Sequence, residues 1–388
     1  MKKILSLVAI CMFIFSCTKK SNDNEILLGS YSSNTGATAT FGVFQLHGTQ
    51  MAIEEINAAG GINGKKIKHI NYDNKSDGDE TLAVVNRLIS QDKVVAILGE
   101  ATSGRSKIGA QVAQQNKVPM LTSSATNPDV TKTGNFIFRA CFIDPFQGMV
   151  MAKFMTENLK LKKAAILRDI KNDYSVGLSD IFAEKLKAAG GSIVSDISYQ
   201  EGDIDFKSQL TAIKAKNPEA IFVPGYYNEV ALIAKQAKEL GLKQPLLGGD
   251  GWSSPKLFEI ARDAINGNYF SNHYTTESTD PKTQNFVKAF KAKYSEDADV
   301  MAALAYDAVY LMAEAIKNTP SIAADDKRDD AVKLAEYRDN IRAQLSNIKD
   351  FHGVTGKMSM DANRDAVKSA VVVQVQGTEY KFITSVNP

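Results

Sequence analysis

Val94-Val95-Ala96-Ile97-Leu98 runs straight into Gly99-Glu100-Ala101-Thr102-Ser103-Gly104, and beyond that loop Ile108 and Val112 recur at helical spacing. Five apolar residues closed by a glycine read as a buried strand, and the three- and four-residue steps that follow read as a helix. Ser103 is a residue type that caps helix N-termini. The same strand–loop–helix grammar recurs at once: Met120 to Thr122 runs into Ser123-Ser124-Ala125-Thr126-Asn127-Pro128, where Thr126 can cap and Pro128 suits a first helical turn. A strand that leaves a sheet through a polar loop into a helix is half of a βαβ unit.

Working outward, the pattern covers most of the chain. Upstream, Ile26 to Gly29 is a strand, and Leu46, Thr49, Ile53 and Ile56 mark a helix that stops at Gly60-Gly61. Asn63-Gly64 turns into a strand over Lys66 to Tyr72, followed by a helix through Leu82, Val85 and Ile89. Phe136 to Phe138 is a further strand. A second series restarts at Ala164 to Leu167, with a helix through Leu178, Phe182 and Leu186. Strands follow at Ile193 to Tyr199, Ala220 to Val223 and Pro245 to Gly248, with a helix through Val230, Ile233, Ala237 and Leu240. Two such series predict an α/β protein of two doubly wound lobes with parallel sheets. The tail breaks the alternation: Met301 to Ile316 is one helix, Thr319 to Asp330 a polar loop, Leu334, Tyr337, Ile341 and Leu345 a second helical stripe. Two strands, near Lys368 to Gln374 and Lys381 to Thr384, close the chain. Helices without strands complete one lobe and the final strands the other, so the chain crosses between lobes three times.

The 388 residues carry 46 basic and 44 acidic side chains. Without Lys2 and Lys3 the balance is 44 against 44, with no basic excess to suit nucleic acid. Those two lysines precede a twelve-residue apolar run, Ile4 to Phe15, which is too short to span a bilayer and fits a removable leader over residues 1–16. Cys17 follows the small Ser16. The polar stretch from Thr18 to Glu25 then suits a tether, giving an N-terminal segment over 17–25. This junction resembles a bacterial lipoprotein signal, which implies acylation of Cys17 and anchoring of an exported body at a membrane. Of three cysteines, Cys141 alone falls in the predicted lobes, so no internal disulfide or metal cage is expected there.

Catalytic templates fail. Gly60-Gly61-Ile62-Asn63-Gly64-Lys65-Lys66 lacks the first glycine and the hydroxyl of a phosphate loop, and there is no G-x-S-x-G elbow. The four histidines, His47, His69, His273 and His352, are scattered. We therefore expect no enzyme and no cofactor. The strand ends are more informative, because doubly wound sheets bind ligands at their carboxyl ends. Two helix N-termini, after Gly99 and after Thr122, would face one crevice with hydroxyls and backbone N–H groups, a site for an anion such as a carboxylate. In the second series, Ala220–Val223 ends in Pro224-Gly225-Tyr226-Tyr227, and Pro245–Gly248 ends in Gly249-Asp250-Gly251-Trp252. Asp250 offers a counter-charge to a cation. An anion site on one lobe and a carboxylate on the other match a zwitterion. Glu100, Arg139 and Asp144-Pro145-Phe146-Gln147 have blander readings: an exposed loop acid, an ion pair locking the lobes together, and a capped helix start.

Ile56-Asn57-Ala58-Ala59-Gly60-Gly61-Ile62-Asn63-Gly64, Phe138-Arg139-Ala140-Cys141-Phe142-Ile143-Asp144-Pro145-Phe146-Gln147-Gly148, Gly248-Gly249-Asp250-Gly251-Trp252 and Ala302-Ala303-Leu304-Ala305-Tyr306-Asp307-Ala308 occur in that order. In this the chain from Glu25 to Pro388 resembles the periplasmic binding proteins for branched-chain amino acids, type I solute receptors of ABC transporters. The resemblance implies the type I periplasmic binding protein fold, with two doubly wound parallel-sheet lobes joined by three crossovers. One lobe would comprise 26–141 and 275–353, the other 142–274 and 354–388. It further implies that Ser103, Ser124 and Thr126 bind the ligand carboxylate, that Tyr226 and Asp250 hold its ammonium, and that Phe41, Tyr174 and Met301 lie near its side chain, with Tyr31 and Trp252 lining the pocket less directly. Ser76 and Thr102 stand where well-known members carry a cysteine pair, Asp250 where some carry a longer Glu, and Met301 where an aromatic is common. The implied partners are a small amino acid, Leu, Ile or Val, and a membrane-embedded ABC permease. The implied state is a monomer in the periplasm or at the cell surface, lipid-anchored and without nucleic acid. A sensing subunit of the same fold, a receptor for another amino acid, amide or carboxylate, and a periplasmic hydrolase are the competing readings.

Overall fold

The computed structural model describes residues 25–320 and 329–388; the leader, Cys17 and most of the tether lie outside the described residues, as do residues 321–328 of the predicted polar loop. The first lobe opens with β1 (Glu25–Ser32), α1 (Ala39–Ala58), β2 (Lys66–Asp73), α2 (Gly78–Ser90), β3 (Ala96–Gly99), α3 (Ser103–Gln115), β4 (Met120–Thr122), α4 (Asp129–Lys132) and β5 (Ile137–Arg139). Its strands form an all-parallel sheet in the order β2-β1-β3-β4-β5. β3 and β4 are buried along their whole length, which is why they read as unbroken apolar runs. One face of the sheet packs Ile26, Leu28, Ala96, Leu98 and Leu121 in a core; the other face packs Tyr31, Ile97, Met120 and Ile137.

The chain then crosses into the second lobe: α5 (Asp144–Lys153, extended by a π-helical turn over Phe154–Asn158), β6 (Lys163–Asp169), α6 (Asp173–Ala188), β7 (Ser192–Tyr199), α7 (Lys207–Ala215), β8 (Ala220–Phe222), α8 (Tyr227–Glu239), β9 (Leu246–Gly248), α9 (Pro255–Ala261) and β10 (Tyr269–Asn272). It returns to the first lobe for α10 (Pro281–Tyr294), α11 (Val300–Asn318) and α12 (Asp330–Ser346). A small sheet follows, made of β11 (Phe351–Gly353), β12 (Gly356–Met360) and β13 (Ala366–Val367). A third crossing leads to β14 (Ala370–Gln376) and β15 (Glu379–Val386).

The second sheet has seven strands in the order β15-β14-β10-β9-β8-β6-β7. Five are parallel, but β14 runs antiparallel to β10 and β15 antiparallel to β14, because a hairpin joins the last two strands and no helix does. Met358, Met360 and Ala366 of the small sheet pack in the first lobe's core, although their segment is assigned to the second lobe at the sequence level. α11 is apolar around most of its circumference because α1, α12 and β11 enclose it; Gly48 of α1 lets it approach so closely that a Cβ there would lie 2.1 Å from Ala302 O. The stop after α1 is as expected: Gly61, at φ +81°, donates its N–H back to Ile56 O at 2.8 Å.

Candidate functional site

The carboxyl ends of the two sheets face each other across a cleft, and the loops leaving them line one small cavity. Its walls include Phe41 from α1, Ala101 and Ser103 from the β3–α3 loop, and Ser124 and Thr126 from the β4–α4 loop. Met301 comes from α11, Tyr174 from α6, Tyr226 from the β8–α8 loop, and Asp250 and Gly251 from the β9 loop. Eight of the ten ligand-pocket residues named from sequence therefore meet in one place. A larger groove of about 840 Å³, walled by α1, α10, α11 and β11, is open and does not receive the loops of either sheet's carboxyl edge.

The first-lobe wall is built from hydroxyls. Ser103, in the first turn of α3, accepts from Asn127 N at 3.2 Å and so ties the two loops together; Ser124 Oγ donates to Ala101 O at 3.2 Å. The expected caps differ. Thr102 occupies the N-cap position of α3 but its hydroxyl makes no capping bond, and Thr126 caps nothing, because the four-residue α4 begins only at Asp129 behind Pro128. One helix N-terminus of useful length, that of α3, faces the cavity from this lobe.

Glu100 corrects its sequence reading. It is fully buried, and its carboxylate accepts from Ser33 Oγ at 2.7 Å, from Thr102 N and Oγ1 at 2.6 Å each, and from Arg105 Nε at 3.2 Å. Two hydroxyls, an amide and a guanidinium replace its water, so it fixes the loop that carries Ser103. Arg139 is also fully buried. It pairs with Asp365 at 2.5 Å and donates to Asn127 O and Thr131 Oγ1 at 2.9 Å, and its Nη1 donates to Ala125 O. It braces the Thr126 loop against the segment just before the third crossing.

The second-lobe wall is acidic and aromatic. The Tyr174 and Tyr226 rings stack 5.4 Å apart, and Phe41 reaches across the cleft to meet Tyr226 edge-on at 5.5 Å. Asn172 caps α6, accepting from Tyr174 N at 3.0 Å, and Tyr174 Oη accepts from Gly251 N at 3.2 Å. Burial, then the charges of Asp250 and Asp144, hold the Tyr174 phenol neutral. Asp250 is 3% exposed. Its Oδ1 accepts from Gln147 Nε2 at 3.1 Å, and its Oδ2 lies 3.0 Å from His273 Nε2.

Burial lowers the pKa of His273 despite the opposing pull of Asp250, so the ring is neutral; a carboxylate can only accept, so Nε2 carries the proton. The ring stacks on Phe142 at 3.6 Å. His273 stands on the second crossing and Phe142 on the first, so this stack joins Asp250 to both crossings.

Asp144 and Gln147 also depart from the helix-start reading. Ile143 holds the N-cap position of α5, and both polar side chains turn inward, with Gln147 Nε2 donating to Asp144 Oδ1 at 2.8 Å. Tyr31 and Trp252 do not reach the cavity. Tyr31 is buried in the first lobe between Met120 and Gly109, with its hydroxyl 3.6 Å from Met120 Sδ. Trp252 is buried beneath β9 and donates to Val223 O at 2.8 Å. Gln147 and His273 are the site residues that sequence reasoning missed: they lie 103 and 23 positions from Asp250 and meet it only through the sheet order.

Two sheets facing across a cleft, with polar groups from both lobes meeting at one small cavity, define a bilobal binding protein for a small solute. The chain belongs to the periplasmic binding protein family, which it matches over residues 25–379. A leucine-, isoleucine-, valine-, threonine- and alanine-binding protein of Pseudomonas aeruginosa is 30% identical over 339 residues, 86% of this chain and 90% of that one. Among solved structures, a leucine-binding protein from Thermotoga maritima superposes with a TM-score of 0.86 at 35% identity, covering 94% of this chain and 99% of its own. The branched-chain amino acid transporter substrate-binding protein of Streptococcus pneumoniae, solved with isoleucine, gives 0.84 at 36% identity, covering 94% and 100%. Among the described residues no helix is long and apolar enough to cross a membrane.

Proposed function

We propose that this chain captures a branched-chain amino acid between its lobes and delivers it to an ABC permease, tethered meanwhile by a lipid on Cys17. Ser103, Ser124 and Thr126, with the N-terminus of α3, receive the carboxylate. Asp250 receives the ammonium, with the Tyr226 hydroxyl beside it. Phe41, Tyr174 and Met301 pack on the side chain, Met301 giving that wall the softness of an unbranched thioether.

The observation that carries this reading is the convergence of first-lobe hydroxyls and one buried second-lobe carboxylate on a single small cavity. Neither lobe holds both charge partners, so a ligand favours the closed arrangement by its differential affinity for it. The isoleucine bound by the Streptococcus pneumoniae relative supports the cargo. The Cys17 anchor rests on the sequence alone.

Thermal-shift screening of residues 18–388 against the natural amino acids tests the proposal. Leu, Ile or Val should stabilise the protein by about 2.7 kcal/mol at a hundredfold excess over Kd. Absence of a shift with all three, alongside a shift with some other ligand, overturns the cargo assignment.

A further inference from the structure

We propose that the ammonium subsite exchanges a proton for its ligand: Asp144 carries a proton in the empty receptor and gives it up when an ammonium group settles beside Asp250. The inference rests on the reading that Asp250 receives an ammonium, and adds a property that reading does not require.

Geometry carries the argument. A single amide nitrogen, Gln147 Nε2, donates to Asp144 Oδ1 at 2.8 Å and to Asp250 Oδ1 at 3.1 Å, which puts the two carboxylates within about 6 Å of each other. Asp144 and Gln147 are fully buried, and Asp250 is nearly so. Gln147 cannot turn away, because its Oε1 accepts from Ser271 Oγ at 2.9 Å. Asp144 Oδ2 is sealed from solvent and finds no hydrogen-bond partner among the described residues. Two like charges at this separation in a dry site do not both persist without a cation between or beside them.

The surrounding groups supply no such cation. Toward Asp144 stand Asp250 from the β9 loop, Thr126 from the β4 loop, Tyr174 from α6, and Arg139 from β5. Arg139 is the one charged base in that set, and it is committed to Asp365 and three oxygens of the Thr126 region. Toward Asp250 stand His273, held neutral by burial, and the buried thiol of Cys141. Lys368, at the third crossing, is engaged by Thr355 and by the nearby charge of Asp307. Burial first, then the charge of Asp250, push the Asp144 carboxyl up to about 7, against the pull of Thr126, Gln147 and Arg139.

The exchange balances simply. The O–H bond of Asp144 breaks, the proton passes to solvent while the lobes are open, and the ligand's ammonium neutralises the carboxylate pair. The ligand's own ammonium group stays charged throughout the neutral range, so any proton released comes from the receptor. A ligand that lacks the ammonium, such as 4-methylpentanoate, releases none.

Isothermal titration of leucine into the full soluble chain, in two buffers of different ionisation enthalpy, counts the protons. About half a proton per leucine is expected at pH 7, approaching one at pH 6 and zero above pH 8, with affinity weakening up to about tenfold per unit of acidification below pH 7. Asp144→Asn should bind leucine with no proton release and a flat pH dependence. Infrared difference spectra of the wild-type protein supply a readout independent of that variant: the band of a protonated carboxyl should disappear on leucine addition. Leucine binding without proton release from pH 6 to 8, or Asp144→Asn releasing as many protons as wild type, overturns the exchange while leaving the amino-acid reading intact. Failure of any amino acid to bind overturns both.

Discussion

Asp250→Asn isolates the charge on which the ligand assignment depends. The substitution keeps the side chain's size and its place between Gln147 and His273 but removes the negative charge from a group that is 3% exposed. An ammonium desolvated in the closed cavity then loses its nearest counter-ion and keeps only Asp144, about 6 Å further into the wall. Removing one member of a buried charge pair costs about 3–5 kcal/mol, which weakens leucine binding by roughly two to three and a half orders of magnitude. The assay is calorimetric titration of leucine and of 4-methylpentanoate, which has the same hydrocarbon body and carboxylate but no ammonium, into both proteins. Wild type should prefer leucine strongly, and the variant should bind the two within about tenfold of each other, because only leucine brings the unpaired charge. The ligand-free variant should be no less stable than wild type, since removing one of two adjacent buried carboxylates relieves repulsion with Asp144. If Asp250→Asn binds leucine within fivefold of wild type, the counter-charge argument fails, and with it the orientation of the ligand.

Arg139→Ala leaves Asp365 facing a fully buried, uncompensated position and should cost about 3–5 kcal/mol, read as a lower urea midpoint with an unchanged slope; a loss below about 1 kcal/mol would make the pair dispensable. Asp299, the N-cap of α11, has its Oδ2 sealed from solvent although the residue as a whole is half-buried, and burial raises its carboxyl to about 8. The folded state then keeps a proton that the unfolded chain has lost between about pH 4 and pH 8, so this group's contribution makes stability fall as pH rises through that window. Asp299→Asn keeps the capping oxygen without the titration, so its stability advantage over wild type in urea unfolding should grow from pH 5 to pH 8. A gap that does not change with pH refutes the assignment.

What the sequence discloses about this site follows from how parallel sheets are built. Every strand of a βαβ series ends on the same edge, so Ser103, Ser124, Tyr226 and Asp250 could be placed in one crevice from the order of runs and loops alone. Gln147 and His273 were hidden for different reasons. β10 is only four residues, Tyr269–Asn272, without an alternation to mark it, so nothing indicated that His273 leaves the sheet beside Asp250. Asp144 and Gln147 have the residue types and spacing of a helix start, and an Asp-Pro-x-Gln reads the same whether its side chains cap a helix or turn inward. Tyr31 and Trp252 are placed at the pocket by the family resemblance alone, but Tyr31 packs on the sheet face covered by α3, and Trp252 folds under β9. Glu100 could not be seen as buried because Ser33, one of the groups that replace its water, comes from another strand's loop.

The contacts that hold the lobes together also bear on how the receptor selects. Across the cleft, Lys107 pairs with Asp173 at 2.9 Å, Asn127 Nδ2 donates to Asp173 O at 2.8 Å, Asn228 Nδ2 donates to Ala37 O at 2.6 Å, and Thr40 N donates to Tyr227 Oη at 3.3 Å. All are partly or wholly exposed, and each contributes at most about 1 kcal/mol. The deciding term is then the buried one. On the proposed reading, closing on Asp250 without a cation would strand its carboxylate in a dry cavity beside a protonated Asp144, whereas closing on an ammonium would neutralise it. If Phe41, Tyr174 and Met301 pack on the ligand side chain as proposed, they would grade ligands by size in steps of about 1–3 kcal/mol per methylene, which is too coarse to exclude close homologues. The charge requirement is nearly all-or-none. The receptor should therefore be strict about the α-ammonium and tolerant among small apolar side chains, the behaviour expected when the polar groups that fix the ligand are buried and the apolar wall is built on a methionine.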